Sequence, residues 1–384
     1  MKKFIYFISL VLLSANTMAQ VNGDANWTLL FGDDFTVDGR TWNPNTFISS
    51  DHVWRSYPGS GVTHGESELQ VYQFAQCQFD DDANVIRLVS EYDAQGRIAE
   101  NDYYLPSWMH EYPDPDGLYF FSGEIDCIKN PDDPTNGKYG FGYFEIRCKL
   151  PIHNGSFPAF WLFGNGPSTY EEIDIFEYSK RDSEGDPYRG YSSGIWYNPV
   201  STNYNLDTLN PELGQAEKFV EHHHHILPSA PDLSSYHTFG CEWMPDVVRW
   251  YRDGQVVAES HDVAHIPQSP KTLKVNYALN KYALDNNHEP DGWSGTDTME
   301  VDYVRVYKLR TDCDTDELIT TSAQLAGFDH RMKHSITIGS AGNAIQAPAG
   351  ANTVMRAEEH ITIDGEFEIP QGATMTFVTH ACPD

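Results

Sequence analysis

Short stretches in which apolar and polar residues alternate recur along most of the chain. From Tyr143 to Leu150, Phe144, Ile146, Cys148 and Leu150 take every second position, and Tyr, Glu, Arg and Lys lie between them. A period of two is typical of a strand with one buried face. The pattern therefore predicts a half-buried β-strand here.

A second pattern predicts a β-hairpin. Residues 247–252 read Val-Val-Arg-Trp-Tyr-Arg, and after Asp253-Gly254 the chain continues Gln-Val-Val. Asp-Gly between two strand-like runs is a strong signal for a two-residue turn. Val301 to Tyr307 is a further alternating run rich in β-branched residues and predicts another strand.

Long segments with a helical period are absent from the sequence, and 29 Gly and 22 Pro separate the short strand-like runs. This favours an all-β protein built from two stacked antiparallel sheets. The part at residues 20–309 is long for one domain, but β-sandwiches of that length occur as single domains.

The character of the chain changes after Leu309. Residues 311–316 are polar and acidic and are interpreted as a linker. Beyond them lie short runs that predict strands at 335–338, 361–363 and 375–378, separated by Gly, Ala and Pro. Strands this short need neighbours and a clamp. We therefore predict a separate small β module at residues 310–384, with an accessory or surface-attachment role.

Six cysteines supply candidate clamps. Cys313 and Cys382 bracket the C-terminal module and are the predicted disulfide. Cys77, Cys127, Cys148 and Cys241 could equally be buried small apolar residues, since sequence does not determine connectivity. No Cys-x-x-Cys pair is present, so a structural zinc site has no support.

Residues 1–19 have the three parts of a secretory signal peptide. Lys2 and Lys3 precede an apolar run from Phe4 to Leu13, and Thr17-Met18-Ala19 offers a small-residue cleavage site. The run is too short to cross a bilayer, and no later stretch reaches the roughly 20 apolar residues of a membrane helix. We expect an extracellular or cell-surface protein without a membrane span.

The amino-acid composition limits the classes of molecule that the chain is expected to bind. The chain has 25 Lys+Arg against 56 Asp+Glu, a formal charge of -31. Such a chain repels phosphate backbones, so a nucleic acid partner is not expected. With 40% hydrophobic residues, disorder throughout is excluded. Most of the acidity is interpreted as a solvated surface, with cation binding or a salty environment as functional alternatives.

The candidate chemistry lies in Glu172-Ile173-Asp174-Ile175-Phe176-Glu177. In a regular strand Glu172 and Asp174 share one face and Glu177 points to the other. One extra residue, a β-bulge, would return Glu177 to the face of the other two. Side chains leaning inward could then bring the two glutamate carboxyls to about the 5–5.5 Å separation of a retaining glycosidase.

Three acids on one face repel, so their proton affinities must separate. One ionised carboxylate and one protonated acid are what glycoside hydrolysis needs. The structural alternative is an acidic strand edge that discourages aggregation.

The surrounding motifs resemble glycoside hydrolase family 16, which includes laminarinases, agarases, carrageenases and mixed-linkage glucanases. The Glu-x-Asp-x-x-Glu form is specific to the branch of that family with a bulged catalytic strand. The resemblance runs in order through Asp33-Asp34-Phe35, Ser67-Glu68-Leu69-Gln70, Ser122-Gly123, Tyr139 to Arg147, Phe157 to Phe163, Tyr236-His237-Thr238-Phe239, Glu242-Trp243, Asp253-Gly254 and Val301 to Tyr307.

The resemblance implies a curved antiparallel β-sandwich of the jelly-roll, concanavalin A-like type, with an open cleft that suits cleavage inside a polymer. It implies that Glu172 is the nucleophile, Glu177 the acid/base and Asp174 a positioning group. Trp161 would contact sugar, or be a core tryptophan with equal weight, and Asn276 would lie near the cleft.

The resemblance also suggests a structural calcium, since some members bind calcium through the aspartate that corresponds to Asp302; a solvated strand-end aspartate is an equal alternative. No cofactor is expected for the chemistry.

This sequence also departs from the family pattern. Laminarinases usually have Trp-Pro a few residues before the nucleophile, whereas residues 166–171 here read Gly-Pro-Ser-Thr-Tyr-Glu. Many members carry a histidine on the strand after the catalytic one, but residues 194–197 read Gly-Ile-Trp-Tyr, with Trp196 a candidate stacking residue. These changes put the glucan assignment in doubt.

Two further segments are interpreted as loops. Residues 103–119 form an insertion in which Trp108 could line the cleft rim, with surface packing as the default. His222 to His225 are a run of four histidines that we interpret as an exposed loop, because four consecutive residues cannot all face one metal ion.

Together these patterns predict a secreted, retaining endo-glycosidase that acts as a monomer on a β-linked polysaccharide. An endo-β-1,3-glucanase is the leading specificity. An agarase- or carrageenase-type galactan hydrolase is the alternative within the class, and a glycan-binding protein or a transglycosylase are the alternatives outside it.

Overall fold

The structure is a computed structural model of the 384-residue chain. It describes residues 24–56, 68–92, 119–151, 153–164, 169–179, 190–199, 219–226, 235–284, 295–339 and 344–383. The predicted signal peptide at residues 1–19 lies outside these ranges. Within them, no helix is long and apolar enough to cross a bilayer.

The described residues form strands almost throughout. Besides 3-10 turns at Phe74–Gln76 and Lys281–Ala283, there is one short helix, α1 (Ser322–Ala326). In chain order the strands are β1 (Trp27–Asp33), β2 (Trp54–Ser56), β3 (Gln70–Tyr72), β4 (Cys77–Asp80), β5 (Val85–Tyr92), β6 (Phe120–Ser122), β7 (Glu124–Cys127), β8 (Gly142–Lys149), β9 (Ser156–Phe163), β10 (Thr169–Glu177), β11 (Gly190–Pro199), β12 (Phe219–Ile226), β13 (His237–Trp243), β14 (Val248–Arg252), β15 (Gln255–Ser260), β16 (Thr272–Leu279), β17 (Thr296–Leu309), β18 (Thr311–Ile319), β19 (Met332–Gly339), β20 (Ile345–Gln346), β21 (Asn352–Asp364), β22 (Phe367–Glu368) and β23 (Thr374–Thr379).

Two large sheets stack on each other. One has seven strands in the order β12-β11-β10-β9-β16-β7-β2, and the other has ten in the order β15-β14-β13-β8-β17-β5-β6-β3, with β1 beside β17 and β4 beside β5. All pairings are antiparallel except β3 with β6. The predicted all-β sandwich is confirmed.

The core lies between the sheets, and it holds the candidate catalytic strand β10 from behind. Ile173, Ile175 and Phe176 are buried there, and the ring centroid of Phe176 lies 4.6 Å from that of Phe239 on the opposite sheet. The Trp250 indole N–H donates to the backbone carbonyl of Asp174 at 2.8 Å. The inner face of β10 is therefore packed and hydrogen-bonded, which fixes the direction of its outer face.

The Asp253-Gly254 hairpin is confirmed. Arg252 pairs with Gln255, so the loop has two residues, and both have positive φ angles, 47° and 77°. Two consecutive positive φ angles are what a type I′ turn requires, and Asp-Gly supplies them with little strain.

The prediction for residues 143–150 was right about the strand but wrong about its exposure. Both faces of β8 are largely buried, and Glu145 is 1% exposed. Glu145 accepts hydrogen bonds from the Tyr143 and Tyr303 hydroxyls at 3.1 and 2.8 Å. The reason is that β8 lies in the middle of the ten-stranded sheet, whose outer face is covered here by aromatic rings and by the C-terminal segment.

That C-terminal segment forms a β module with its own sheet of four parallel strands, β18-β19-β21-β23. The expected linker at residues 311–316 is wrong, because these residues form the first part of β18. β18 is the edge strand of this sheet, and it pairs in parallel with β19 at residues 311, 312 and 316–319. The predicted Cys313–Cys382 disulfide is confirmed, with the two Cα atoms 6.4 Å apart, and the other four cysteines are buried thiols.

A buried ion pair joins the module to the sandwich. Arg356 on β21 donates to Glu242 on β13 at 2.8 Å, and its guanidinium lies 5.3 Å from the ring centroid of Trp27. Met332 and both disulfide cysteines pack against the same aromatic cluster on the outer face of the ten-stranded sheet. The module is therefore docked on the side of the sandwich opposite β10.

Candidate active site

Strand β10 contains the β-bulge that the sequence predicts. On β9, Asp174 pairs with Trp161 and Phe176 with Phe160, so Ile175 is the extra residue. The register against β11 also shifts between Asp174 and Glu177. Ile175 and Phe176 both enter the core, and Glu177 returns to the outer face with Glu172 and Asp174.

Cross-strand register groups the polar residues of this outer face into rows. Residues directly opposite each other on antiparallel strands point to the same side. One row crosses the entire seven-stranded sheet through His222, Gly194, Asp174, Trp161, Lys274, Asp126 and Arg55. Glu172 lies in the row of Trp196 and Phe163, and Glu177 in the row of Ser192, Ala159 and Asn276.

Two carboxyl groups of this face, those of Asp174 and Glu177, hold protons more tightly than usual. Burial, followed by the negative charges of Glu172 and Glu68, raises the pKa of Glu177 to about 8. Burial and the charges of Glu177 and Glu172 raise the pKa of Asp174 well above its usual range. At neutral pH the site can therefore keep a proton on Glu177, which a general acid needs.

Trp196 lies in the site, but its indole is engaged with protein groups. Its side chain hydrogen-bonds Asp174, which opposes the rise in the pKa of that carboxyl. Its ring meets the His222 imidazole edge to face, with centroids 4.9 Å apart. The predicted sugar-stacking role stays untested, and the contacts point to orientation of Asp174.

Trp161 and Asn276 form part of the floor of the site. The Trp161 indole N–H donates to Asn276 Oδ1 at 2.8 Å, and Asn276 Nδ2 donates to the Tyr72 hydroxyl at 2.8 Å. Trp161 is only 7% exposed, so little of its ring is available to stack on a sugar. Register places Trp161 opposite Asp174 and Asn276 in the row of Glu177, and their hydrogen bonds favour a supporting role. The predicted sugar contact of Trp161 stays a prediction.

Glu68 is a fourth carboxylate of the site, and the sequence alone did not single it out. It is buried, it accepts from Gln70 Nε2 at 2.5 Å, and its charge helps to raise the pKa of Glu177. The only sequence signal was its place in the Ser67-Glu68-Leu69-Gln70 motif. Its distance from Glu177 along the chain hid their proximity.

The interpretation of His222 to His225 as an exposed loop is wrong about the loop, although His222 and His224 are exposed. All four residues lie in β12, the edge strand of the seven-stranded sheet, paired with β11. Alternation sends His222 and His224 to one face, while His225 bonds Ser193 at 2.7 Å and His223 packs against Trp250 at 5.1 Å between ring centroids. Pairing with β11, the preceding strand, produced this strand, and the polar run itself carried little β signal.

The remaining predicted residues lie away from the carboxylates or outside the described ranges. Asp302 on β17 accepts a hydrogen bond from the Arg147 guanidinium. This pairing does not favour a cation, because bound calcium would compete with the guanidinium for the same carboxylate. The calcium site stays a prediction. Trp108 and residues 166–168 lie outside the described residues.

Comparison with known proteins gives a family match for the part of the chain that holds β10. The family model for glycosyl hydrolases family 16 matches residues 124–305. Among curated relatives, an endo-1,3-1,4-beta-glycanase, EglC of Rhizobium meliloti, is 26% identical over 314 residues, covering 78% of this chain and 56% of the relative. A glucan endo-1,3-beta-glucosidase A1 of Niallia circulans is 26% identical over 309 residues, covering 74% and 38%.

A kappa-carrageenase of Pseudoalteromonas carrageenovora is also similar, 27% identical over 183 residues, or 44% of this chain and 43% of the relative. The chain thus spans about half of the length of these relatives, or less.

Solved structures share the fold. A family 16 protein from a mixed-linkage glucan locus of Bacteroides ovatus, in complex with a product, matches with a TM-score of 0.50 at 18% identity, covering 72% of this chain and 99% of that one. LamA of Z. galactanivorans in complex with laminaritriose and laminaritetraose matches with a TM-score of 0.50 at 19% identity, covering 73% and 99%. These likenesses confirm the sandwich architecture.

Proposed function

We propose that the chain is a member of glycoside hydrolase family 16, whose model matches residues 124–305, and that it is a secreted, retaining endo-glycosidase that hydrolyses a β-glucan. The observation that carries this proposal is the bulge in β10, which sets Glu172, Asp174 and Glu177 on one face and leaves Glu177 with a raised pKa. A strand without the bulge would split the two glutamates between the faces.

In the first step Glu172 attacks the anomeric carbon, and the glycosidic C–O bond breaks as Glu177 protonates the departing oxygen. A covalent glycosyl-enzyme forms on Glu172. In the second step Glu177, now ionised, takes a proton from water, and the water oxygen displaces Glu172 with net retention of configuration.

Asp174 assists by orientation. Its carboxyl lies between the two glutamates along the strand and is held by Trp196 from the neighbouring strand. The negative charge of Glu172 raises the proton affinity of Glu177, and that affinity falls when the glycosyl group neutralises Glu172. This cycling of Glu177 between acid and base follows from the shared face.

The preferred linkage within the glucans is β-1,3. Support comes from relatives named as β-1,3 and mixed β-1,3-1,4 enzymes, and those matches extend over 78% and 74% of this chain. Export is supported by the signal-peptide pattern of residues 1–19, and a monomer remains the expected state.

A galactan hydrolase is the second candidate. Two observations favour it: the similarity to a kappa-carrageenase, and the Gly-Pro-Ser-Thr-Tyr-Glu stretch at residues 166–171, which lacks the Trp-Pro of laminarinases. The strongly acidic chain argues against a sulfated polymer, because like charges repel.

The test is a panel of laminarin, lichenan, agarose and carrageenan, with products sized by chromatography. Internal cleavage of laminarin, seen as a ladder of oligosaccharides, is the expected result, and NMR of the nascent reducing end should show the β anomer first. Cleavage of carrageenan or agarose alone would select the second candidate. Binding without new reducing ends would leave a glycan-binding protein, and longer products would indicate a transglycosylase.

The proton on Glu177 predicts the alkaline side of the pH profile. Since the pKa of Glu177 is about 8, kcat/KM should fall above pH 8 by about tenfold per pH unit as the acid ionises. We expect Glu177→Gln to retain little activity and to lose this alkaline limb. If kcat/KM of the wild type already fell with rising pH from about pH 5, the assignment of Glu177 as the acid would be contradicted.

The same raised pKa has a consequence for folding. The folded state holds the proton more tightly than the unfolded chain, so the stability contributed by Glu177 is complete below about pH 4.3 and declines as pH rises toward 8. Glu177→Gln should therefore be less sensitive to pH in denaturant unfolding over this range.

A further inference from the structure

The His222 imidazole lies beside two of the carboxylates on β10. One ligand atom from each of Asp174, Glu177 and His222 lies within 4.8 Å of the other two. His222 comes from the edge strand β12, two strands away from β10, and shares the cross-strand row of Asp174 through Gly194. The three groups therefore converge from different strands of one sheet.

The absence of a side chain at Gly194 makes this approach possible. A Cβ atom placed at Gly194 would lie 2.9 Å from His222 Cδ2 and 2.3 Å from the backbone oxygen of Glu221. The imidazole thus occupies the space over Gly194 that any other residue would fill. Contact with the Trp196 ring supports it from the side.

Asp174 supplies a second, independent observation. It is 1% exposed, and although its carboxyl hydrogen-bonds Glu172 and Trp196, its buried Oδ2 atom has no hydrogen-bond partner among the described residues. A buried carboxylate oxygen without a donor is costly, and a cation relieves that cost. Lys274, in the same cross-strand row, is not the cation that pairs with this oxygen. Its ammonium is engaged by Glu124 at 2.7 Å and by Asp126 at 2.5 Å.

We propose that Asp174, Glu177 and His222 form a binding site for a divalent transition metal ion, with Zn²⁺ the best fit, and that the bound ion inhibits the enzyme. One imidazole nitrogen and two carboxylate oxygens suit Zn²⁺, whereas Ca²⁺ and Mg²⁺ prefer oxygen ligands alone. Tetrahedral bonds of about 2.0–2.2 Å place ligand atoms about 3.4 Å apart, so the side chains must close by about 1.4 Å at most.

The inhibition follows from the bonds made, and this part rests on the proposed function. When Zn²⁺ binds, Glu177 and Asp174 release their protons to solvent, and oxygen–zinc bonds replace the two O–H bonds. The Glu177 carboxyl can then neither protonate the departing oxygen nor take a proton from water. Removal of the ion restores both abilities, so inhibition should be reversible with a chelator.

Calorimetric titration of the full chain with ZnCl₂ tests the site without any substrate. His222→Ala should weaken the affinity at least about tenfold, since even residues that only orient a metal ligand cost 10–100-fold when replaced. His222→Phe, which keeps a ring against Trp196, should lose as much. His224→Ala removes a neighbouring histidine of the same face and should stay within about twofold of wild type.

Each other outcome overturns the proposal. Unchanged affinity in His222→Ala and His222→Phe would exclude the site, and equal losses in His222→Ala and His224→Ala would assign the ion to the histidine run. Titration of the wild type should give a stoichiometry of one Zn²⁺ per chain at this site, and titration with CaCl₂ should give no comparable heat. The visible spectrum of the Co²⁺-loaded chain should be that of a four-coordinate ion. A six-coordinate spectrum would contradict the proposed site.

Activity gives the second readout. Zn²⁺ should inhibit laminarin hydrolysis at the calorimetric affinity, and His222→Ala should need at least about tenfold more Zn²⁺ for the same inhibition. If the wild type cleaves none of the four polymers, the proposed function fails while the calorimetric result still decides the metal site. Tight binding without inhibition would overturn the inhibitory role.

Discussion

Glu172→Gln is expected to lower kcat for glucan hydrolysis at least about 10⁴-fold, because the amide cannot form the glycosyl-enzyme. The substitution keeps the shape of the side chain and removes one of the charges that raise the pKa values of Asp174 and Glu177. Folding should therefore be unimpaired or improved above neutral pH, where those carboxyls otherwise ionise.

The measurement is the release of reducing ends, with near-UV circular dichroism to check the fold. Glu368→Gln, at an exposed position of the C-terminal module, is the matched control and should retain wild-type activity. Full activity in Glu172→Gln would show that Glu172 is not the nucleophile.

A smaller variant tests the covalent step directly. Glu172→Gly leaves a gap where the carboxylate stood, and a small anion such as azide could attack the anomeric carbon from that space. With an activated aryl β-glycoside we expect azide to restore turnover and to give the α-glycosyl azide, since one displacement now replaces two. A β product would contradict a nucleophile at this position.

Arg356→Met is expected to destabilise the full chain by about 3 kcal/mol, because it leaves Glu242 charged and buried without its main partner. Glu242 is 2% exposed. Burial alone would raise the pKa of Glu242, but Arg356 and Arg249 lower it to about 2. Since Arg249 remains at 3.2 Å, we expect the low end of the 3–5 kcal/mol range for a broken buried pair.

Equilibrium denaturant unfolding measures this change, and a double-mutant cycle with Glu242→Gln isolates the pair. Glu242→Gln in the Arg356→Met background should recover part of the loss, because the unpaired charge is gone. Arg331→Met, an exposed arginine of the same module, should change stability by less than about 0.5 kcal/mol. An effect of Arg356→Met no larger than that control would show that the pair does not hold the module.

The pH dependence of this contact has a defined sign. Because the folded-state pKa of Glu242 is lowered, the stability it contributes is present above about pH 4.3 and is lost as the pH falls toward 2. The Arg356→Met variant should therefore differ from wild type most at neutral pH, and the difference should shrink in acid.

The β-bulge in β10 could be predicted from the local sequence pattern alone. Ile173, Ile175 and Phe176 must reach the core while three carboxylates avoid it, and only an extra residue satisfies both demands in one strand. The hairpin at Asp253-Gly254 is equally local, since two positive φ angles suffice to close it. Both features depend on a few consecutive residues, and both were predicted.

The errors share a non-local cause. Glu145 was expected on a solvated face and is buried, because the aromatic cluster and the docked module cover that face. Residues 311–316 and the histidine run looked like linker and loop, yet each pairs with a strand that lies elsewhere in the chain. Pairing of this kind depends on register between distant segments, which alternation within one segment does not contain.

The sequence by itself determined the all-β class and the bulged strand with its three carboxylates, because each follows from side-chain period or from a local constraint. It also indicated the Cys313–Cys382 disulfide, which the structure confirms. Only the tertiary structure decided what surrounds those carboxylates. Glu68 and His222 reach them through strand order and register, and the charge and burial they meet there are properties of the assembled sheets.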